Sequence, residues 1–343
     1  MDHLQLSCSW GNRSTETAGR RLSALGFGTA PIGNLYTGIT DEEAEAALDE
    51  ALCNGVRYFD TAPFYGYGLS EQRLGRALEG ISRSNFTIST KVGRLLTSDG
   101  ASGLSDGFAV QSGGAVFDYT RDGILRSFEA SLQRLRLNRI DILLLHDIGR
   151  LTHGNRHEAV MKHVLDYAIP TMAALRDSGA IDAIGIGVNE QAIGLELLRH
   201  IDLDWIMLAG RYTLLEQADS IEIMSVAQTR GVKVIAAAPY NSGLLANSEK
   251  AGSTYNYRPV PSQMLERAQR IYTICAQEGI DVGAAALQLP LAHPSIVSVA
   301  TGLRSAAEVR SALVRLQTPI PASLWSRLRE AGLLEPSTVV PGN

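Results

Sequence analysis

Val56-Arg-Tyr-Phe-Asp60-Thr-Ala-Pro-Phe-Tyr65-Gly-Tyr-Gly68 is the stretch from which the rest of the chain is read. Val56, Tyr58 and Phe59 make a short apolar run of strand-forming residues that ends in the acid Asp60 and then breaks at Pro63 and two glycines. A strand that delivers a carboxylate at its carboxyl end, with a tyrosine five residues on, suits the mouth of a parallel barrel, where such folds carry their chemistry. Taken alone, the segment is equally well explained as a strand-end turn capped by Asp60.

Two later segments share the layout. Phe86-Thr-Ile-Ser-Thr-Lys91-Val-Gly93 ends an apolar strand on a lysine, and Asp141-Ile-Leu-Leu-Leu-His146-Asp147 ends another on a histidine. One strand-end lysine or histidine is ordinarily structural. Three consecutive strands that each deliver one ionisable side chain at the same end are poorly explained by chance.

In this the chain resembles the aldo-keto reductase family, whose tetrad of Asp, Tyr, Lys and His is matched in order and approximate spacing by Asp60, Tyr65, Lys91 and His146. The resemblance extends from Leu25-Gly-Phe-Gly-Thr-Ala through Ala331 and implies a (β/α)8 TIM barrel. The residues support that chemistry. Tyrosine has a reference pKa near ~10, so it exchanges a proton with a substrate hydroxyl at neutral pH only when its anion is favoured by a nearby positive charge. Lys91 supplies that charge, Asp60 holds the ammonium in place, and His146 orients the reacting oxygen.

The surrounding pattern agrees with a barrel. Thr40 followed by Glu43 reads as a capping box opening a helix over 40–52, and Ser70 as the cap of a short helix ending near Gly80. Strands at 86–92, 141–146, 182–188, 204–209, 232–238 and 296–301 alternate with helices at 121–136, 165–178, 190–200, 219–230, 262–278, 283–292 and 305–316. No G-x-G-x-x-G follows the first strand, Leu22 to Gly28, which argues against a Rossmann-type sheet. A single barrel domain over 1–343 is expected.

Two segments break the rhythm. Residues 95–119 are rich in Gly, Ser and Asp with isolated apolars, and read as a structureless loop of the kind that covers an active site. Residues 147–162 carry Arg150, His153, Arg156 and His157, with His163 just beyond, and read as a solvated or substrate-facing loop without metal-ligand spacing. No metal is expected.

The resemblance also implies a nicotinamide cofactor and its contacts. Gly28 and Thr29 lie where the first strand runs into its loop, and Asn189 ends the fifth, where the family presents an Asn to the nicotinamide carboxamide. Pro239, Tyr240, Asn241, Ser242, Gly243 and Leu244 resemble the pyrophosphate loop, and Gly302, Arg304 and Glu308 the adenosine-phosphate segment at a helix N-terminus. The chain departs from the family at Ala237, in place of an aromatic residue, and at Leu208-Ala-Gly210, in place of a glutamine. Glu308 stands where an Arg or Gln is usual, and Ser311 and Ala312 replace a Glu-Asn pair. A carboxylate there repels a 2′-phosphate, so NAD is expected over NADP, with Arg304 as the opposing influence.

Within the family, Ala209-Gly-Arg-Tyr-Thr-Leu-Leu215, Val116-Phe-Asp-Tyr119 and His146-Asp147 most resemble the bacterial aldose 1-dehydrogenases, with L-galactose dehydrogenases and pyridoxal 4-dehydrogenases close by. Their substrates share a cyclic hemiacetal whose oxidation gives a lactone. An aldose such as L-fucose is the first expectation and pyridoxal the second. A general aldehyde reductase and a non-catalytic nicotinamide-binding subunit are the other readings.

Composition sets outer bounds. The 343 residues are 45% hydrophobic and 20% charged with a net charge of -5, suited to a large core and unsuited to nucleic acid or an acidic membrane surface as partner. Cys8, Cys53 and Cys275 form neither a disulfide framework nor a zinc pattern. The first twenty residues lack the apolar core of a signal peptide, and no apolar run approaches the about 20 residues that span a bilayer, so cytoplasm is expected.

Overall fold

The computed structural model describes residues 15–17, 20–98, 103–110, 113–246, 254–255 and 258–342. Eight parallel strands close a barrel: β1 Leu25–Gly28, β2 Tyr58–Asp60, β3 Thr87–Val92, β4 Ile140–His146, β5 Ile181–Val188, β6 Trp205–Ala209, β7 Lys233–Ala237 and β8 Ile296–Gly302. Each pairs with the next, and β8 returns to β1 through Val299↔Leu25 and Gly302↔Gly28. A closed sheet has no edge, so every strand is hydrogen-bonded on both sides.

Side-chain alternation then decides what faces the interior. Phe59, Ile88, Leu143, Leu145 and Ile186 turn outward into the main core under the helices. Tyr58, Ile142, Leu144, Trp205, Met207 and Ile235 fill the barrel itself. Leu22, on a small hairpin of Thr15–Thr17 with Arg20–Leu22, belongs to that inner cluster and is 1% exposed. The inward face of β2, β3 and β4 therefore continues from Tyr58 to Asp60, from Ser89 to Lys91 and from Leu144 to His146.

Glycines permit two close approaches inside the barrel. A Cβ on Gly26 of β1 would stand 2.6 Å from the Tyr58 ring, and one on Gly187 of β5 would stand 3.2 Å from Cε of Lys91. At Gly187 the glycine gives the lysine room to cross the barrel.

The helix Asp41–Cys53 opens with the expected box: Glu43 donates its N–H to Thr40 Oγ1 at 3.2 Å, and Thr40 donates its own to Glu43 Oε2 at 2.8 Å. Ser70 is not a cap. The helix Leu69–Ala77 is entered through Gly68 at φ 97, a conformation glycine adopts without strain. Ser70 is buried inside the first turn, its hydroxyl donating to Thr29 Oγ1 at 2.6 Å.

The described residues of both irregular segments form regular structure. Arg94–Thr97 pairs antiparallel with Gly114–Phe117, and Gly103–Ser105 with Phe108–Val110. The inner hairpin turns at Asp106 and Gly107, with φ of 50 and 86, the two left-handed residues a tight hairpin requires. After β4 the chain is helical from Arg150, and His157–His163 runs through a π turn, Val164–Ala168, into Ile169–Asp177. The helix expected over 165–178 thus starts well before its expected residue. A further helix, Ala322–Glu330, packs Trp325 and Leu328 into a second core with Ile271, Val282 and Leu289. Cys53 is exposed and Cys275 buried, and Cys8 lies outside the described residues. Among the described residues no helix is long and apolar enough to cross a membrane.

Candidate active site

Asp60, Lys91 and His146 end adjacent strands on the same inward face, and Tyr65 reaches them from the loop after β2. Lys91 is 2% exposed and Asp60 4%, and the ammonium spends all three of its donors. Nζ donates to both Asp60 oxygens, at 2.9 and 2.8 Å, and to the Thr61 carbonyl at 2.9 Å. Ser89 donates to Asp60 Oδ1 at 2.7 Å, so the carboxylate is satisfied from two sides. Removing either charge would strand the other in a site with little water, which is the costly way to break such a pair.

The same ammonium lies 4.6 Å from the centroid of the Tyr65 ring, and the His146 ring stands edge-on to Tyr65 at 6.1 Å. Burial is the main influence that pushes the Tyr65 phenol well above its ordinary value, with the charges of Asp60 and Asp147 adding to it and Arg94 opposing. Lys91 is largely answered by Asp60, which explains why the phenol keeps its proton here. His146 is 7% exposed, and burial lowers its pKa to about 3, reinforced by Arg94 and Lys91 against the pull of Asp147. The imidazole is neutral, and its buried Nδ1 has no hydrogen-bond partner.

A second charged pair, absent from the tetrad, borders these groups. Arg94 binds Asp147, whose Oδ2 is 3.5 Å from His146 Nε2. The guanidinium lies over Phe64 at 3.9 Å and Phe117 at 4.8 Å. Burial by itself would raise the Asp147 carboxyl, but the positive surroundings, with Arg94 acting through both charge and hydrogen bond and Lys91 adding to it, outweigh burial and hold it below the usual value. The sequence signal for this pair was its position: Arg94 follows the Lys91-Val-Gly93 strand end, and Asp147 follows His146 directly.

The histidines of 147–163 do not form a site of their own. His153 Nε2 shares a hydrogen bond of 3.0 Å with the Tyr119 hydroxyl, and His157 lies between the Ile148 carbonyl at 3.2 Å and Glu196 at 3.1 Å. Tyr119 donates in turn to the His146 carbonyl at 3.0 Å, so this group braces the end of β4 from behind. Among the described residues no group of three or more His, Cys, Asp or Glu is placed to hold a metal ion.

One cavity of about 870 Å³ joins the tetrad to the expected cofactor residues. Gly28, Asn189 and Tyr240 to Gly243 line its middle, and Gly302, Arg304 and Glu308 its far end. Thr29, Pro239 and Leu244 are not on the wall. Thr29 is fully buried, donating to the Asp60 carbonyl at 2.8 Å, and Leu244 packs in the second core. They support the turns that the neighbouring residues expose. Arg315 was not expected at this end. It lines the cavity while bound to Asp281 at 2.7 Å and the Ala246 carbonyl at 2.9 Å.

The wall suits an extended dinucleotide. Ala237, Ala300 and Gly210 leave the middle of the cavity unobstructed by side chains. Ala238, Asn241, Ser242 and Gly243 take φ of 53, 47, 59 and 93, a tightly turned backbone closed by its own hydrogen bonds, Asn241 N–H to the Ala238 carbonyl at 3.0 Å and Gly243 N–H to the Tyr240 carbonyl at 3.1 Å. A Cβ on Gly243 would meet nothing within 4 Å, so the turn opens onto free space. Asn241 Oδ1 is buried without a partner while its Nδ2 is tied to the Gly210 carbonyl at 3.1 Å.

Comparison with known proteins agrees with this geometry. The chain is 40% identical over 324 residues to the D-threo-aldose 1-dehydrogenase of Pseudomonas sp, covering 92% of this chain and 96% of that one. It is 38% identical over 337 residues to the pyridoxal 4-dehydrogenase of Microbacterium luteolum, covering 94% and 97%. Among solved structures it resembles the holo form of an aldo-keto reductase from Bacillus halodurans, with a TM-score of 0.72, 25% identity and coverage of 96% and 97%. Residues 24–332, from just before β1 to just past the helix Ala322–Glu330, match the model of the aldo/keto reductase family, and with a closed barrel carrying this constellation at its mouth the chain belongs to that family.

Proposed function

We propose that the protein oxidises the cyclic hemiacetal of an aldose, L-fucose or a near relative, to the lactone, with NAD preferred to NADP. The observation that carries this reading is the Asp60, Lys91, Tyr65 and His146 cluster at the bottom of the cavity, bordered by the polar Arg94–Asp147 pair. Asn189, the turn 240–243 and the segment 302–308 would hold the nicotinamide cofactor that the family uses. When bound, the oxidised cofactor supplies the hydride acceptor and a positive charge.

Tyr65 exchanges the proton of the hemiacetal hydroxyl. Its raised pKa keeps it in the protonated form that the reverse reaction needs, and added positive charge is what both strengthens it as an acid and makes its anion accessible for oxidation. Lys91 fixes the site of that exchange by lying against the Tyr65 ring while Asp60 and Thr61 anchor it. Neutral His146 hydrogen-bonds the same oxygen, and its desolvation keeps it from titrating during turnover. NAD preference rests on Glu308. Its carboxylate accepts the Arg304 backbone N–H at 2.9 Å and lies 3.6 Å from Arg304 Nε, which offsets the arginine expected to meet a 2′-phosphate, while Arg315 on the same wall is held by Asp281.

Pyridoxal oxidised to 4-pyridoxolactone is the second reading, favoured by the 38% identity to a pyridoxal 4-dehydrogenase and by Phe64 and Phe108 at the substrate end. Purified protein assayed with L-fucose, other aldoses and pyridoxal, each with NAD and NADP, separates these readings by appearance of the reduced cofactor and identification of the lactone. A higher kcat/KM with NADP would overturn the cofactor preference, and Glu308→Gln is expected to shift the ratio toward NADP.

A further inference from the structure

We propose that Arg94 and Asp147 determine substrate specificity by reading the hydroxyl on the carbon next to the reacting one, so that the site requires a polyhydroxylated ring. This deepens the proposed function and rests on it. Both side chains line the substrate end of the cavity beside Tyr65 and His146. They come from different strand ends: Arg94 opens the hairpin after β3, and Asp147 is the first residue after β4. Their meeting at the mouth is therefore made by the fold.

Three observations favour a reading role. Asp147 has φ 48, a left-handed conformation that is costly for a residue with a Cβ and that recurs at functional sites. The Arg94 guanidinium is fixed between the Phe64 and Phe117 rings, so its donors are positioned before a substrate arrives. Asp147 Oδ2 is 3.5 Å from His146 Nε2, a spacing that suits two oxygens on neighbouring ring carbons. With the reacting oxygen on Tyr65 and His146, the adjacent hydroxyl falls to the carboxylate as acceptor and the guanidinium as donor. The side chains are 15% and 20% exposed, so the pair is open enough to be approached. A site built to bond a hydroxyl discriminates against a substrate that lacks it, because its polar groups are then left without a partner.

The test compares an aldose with its 2-deoxy counterpart in wild type, Asp147→Asn and Arg94→Lys, measuring kcat/KM for oxidation together with the melting temperature. The wild type is expected to favour the aldose by on the order of 10- to 100-fold. In Asp147→Asn that ratio should collapse toward one, over and above any change in rate common to both sugars, since the Asp147 charge also bears on the Tyr65 proton. Arg94→Lys keeps the charge but loses the planar fork, and should give a partial collapse. Equal losses on both sugars, or an unchanged ratio, would mark the pair as structural and overturn the inference while leaving aldose oxidation standing. Oxidation of pyridoxal alone by the wild type would instead overturn the sugar reading, and the inference with it.

Discussion

At the scale of single residues, the site separates a group that moves a proton from groups that set how hard it is to move. Tyr65→Phe removes only the hydroxyl and should keep the fold and cofactor affinity while lowering kcat by about 100- to 10,000-fold, the usual worth of an acid–base group. Wild-type turnover in that variant would remove Tyr65 from the mechanism. The neighbours are expected to shift the pH profile in opposite directions. Asp60 is one of two anions that raise the phenol, so Asp60→Asn should move the rising limb of kcat/KM for oxidation to lower pH. Lys91→Met leaves the Asp60 charge unanswered beside the phenol and should move the same limb to higher pH, with partial recovery of rate in alkali. Limbs parallel to wild type in both variants would show that the pair does not act on the Tyr65 proton.

At the scale of elements, the hairpin within 94–117 is the part whose position was legible and whose structure was not. Its length and place after the Lys91 strand marked it as a cover for the mouth, but its isolated apolars hid a folded object. The Asp106-Gly107 pair was the available sign of a tight turn, and a two-residue turn between short strands is easily lost in a Gly-rich run. Phe108 is 2% exposed, edge-on to Phe64 at 5.6 Å and tilted against Tyr65 at 6.2 Å, and the hairpin is tied to the preceding loop by Tyr36 N–H to the Gly107 carbonyl at 2.7 Å. Phe108→Ala should therefore raise the substrate KM several-fold while leaving the NAD dissociation constant near its wild-type value. The opposite pattern, measured by fluorescence titration and initial rates, would place the hairpin over the cofactor. By contrast the barrel strands were legible to within a few residues, because short apolar runs buried on both faces, each ending in one ionisable side chain at Asp60, Lys91 or His146, stand out from the helices between them. The Ala322–Glu330 helix was missed because its apolar face, Leu324, Trp325 and Leu328, pairs with distant residues of Ser262–Gln277 and Val282–Leu291. The Arg94–Asp147 pair was missed for a similar reason. Two residues from different strand ends reveal a partnership only once the barrel closes.

For the whole molecule, the fold holds several imidazoles neutral, and that ties its stability to pH. His146 is lowered to about 3, and His153 and His293 are lowered as well, each chiefly by burial. His293 is 7% exposed, accepts the Ser295 N–H on Nδ1 at 3.2 Å and packs edge-on to Tyr212 at 5.6 Å, far along the chain from the tetrad and off the cavity wall. In the unfolded chain these side chains take up protons near pH ~6.5, whereas the folded protein refuses them until lower pH. Stability from these groups is thus fully present above about pH 6.5 and lost as pH falls toward the folded values, with each histidine adding up to about 1.4 kcal/mol per pH unit to the slope. The lowered carboxyls of Asp41 and Asp147 act in the same direction but only at more acid pH. Urea midpoints at pH 7.5 and 5.5 should therefore be lower at pH 5.5 for the wild type. His293→Gln removes one of the refused protons without touching the catalytic groups, so it should lose less stability between the two pH values even if its midpoint at pH 7.5 is reduced by imperfect packing. An equal loss in both proteins would mean that His293 accepts its proton in the folded state as readily as in the unfolded one, and that the loss between the two pH values comes from other groups, His146 and His153 among them.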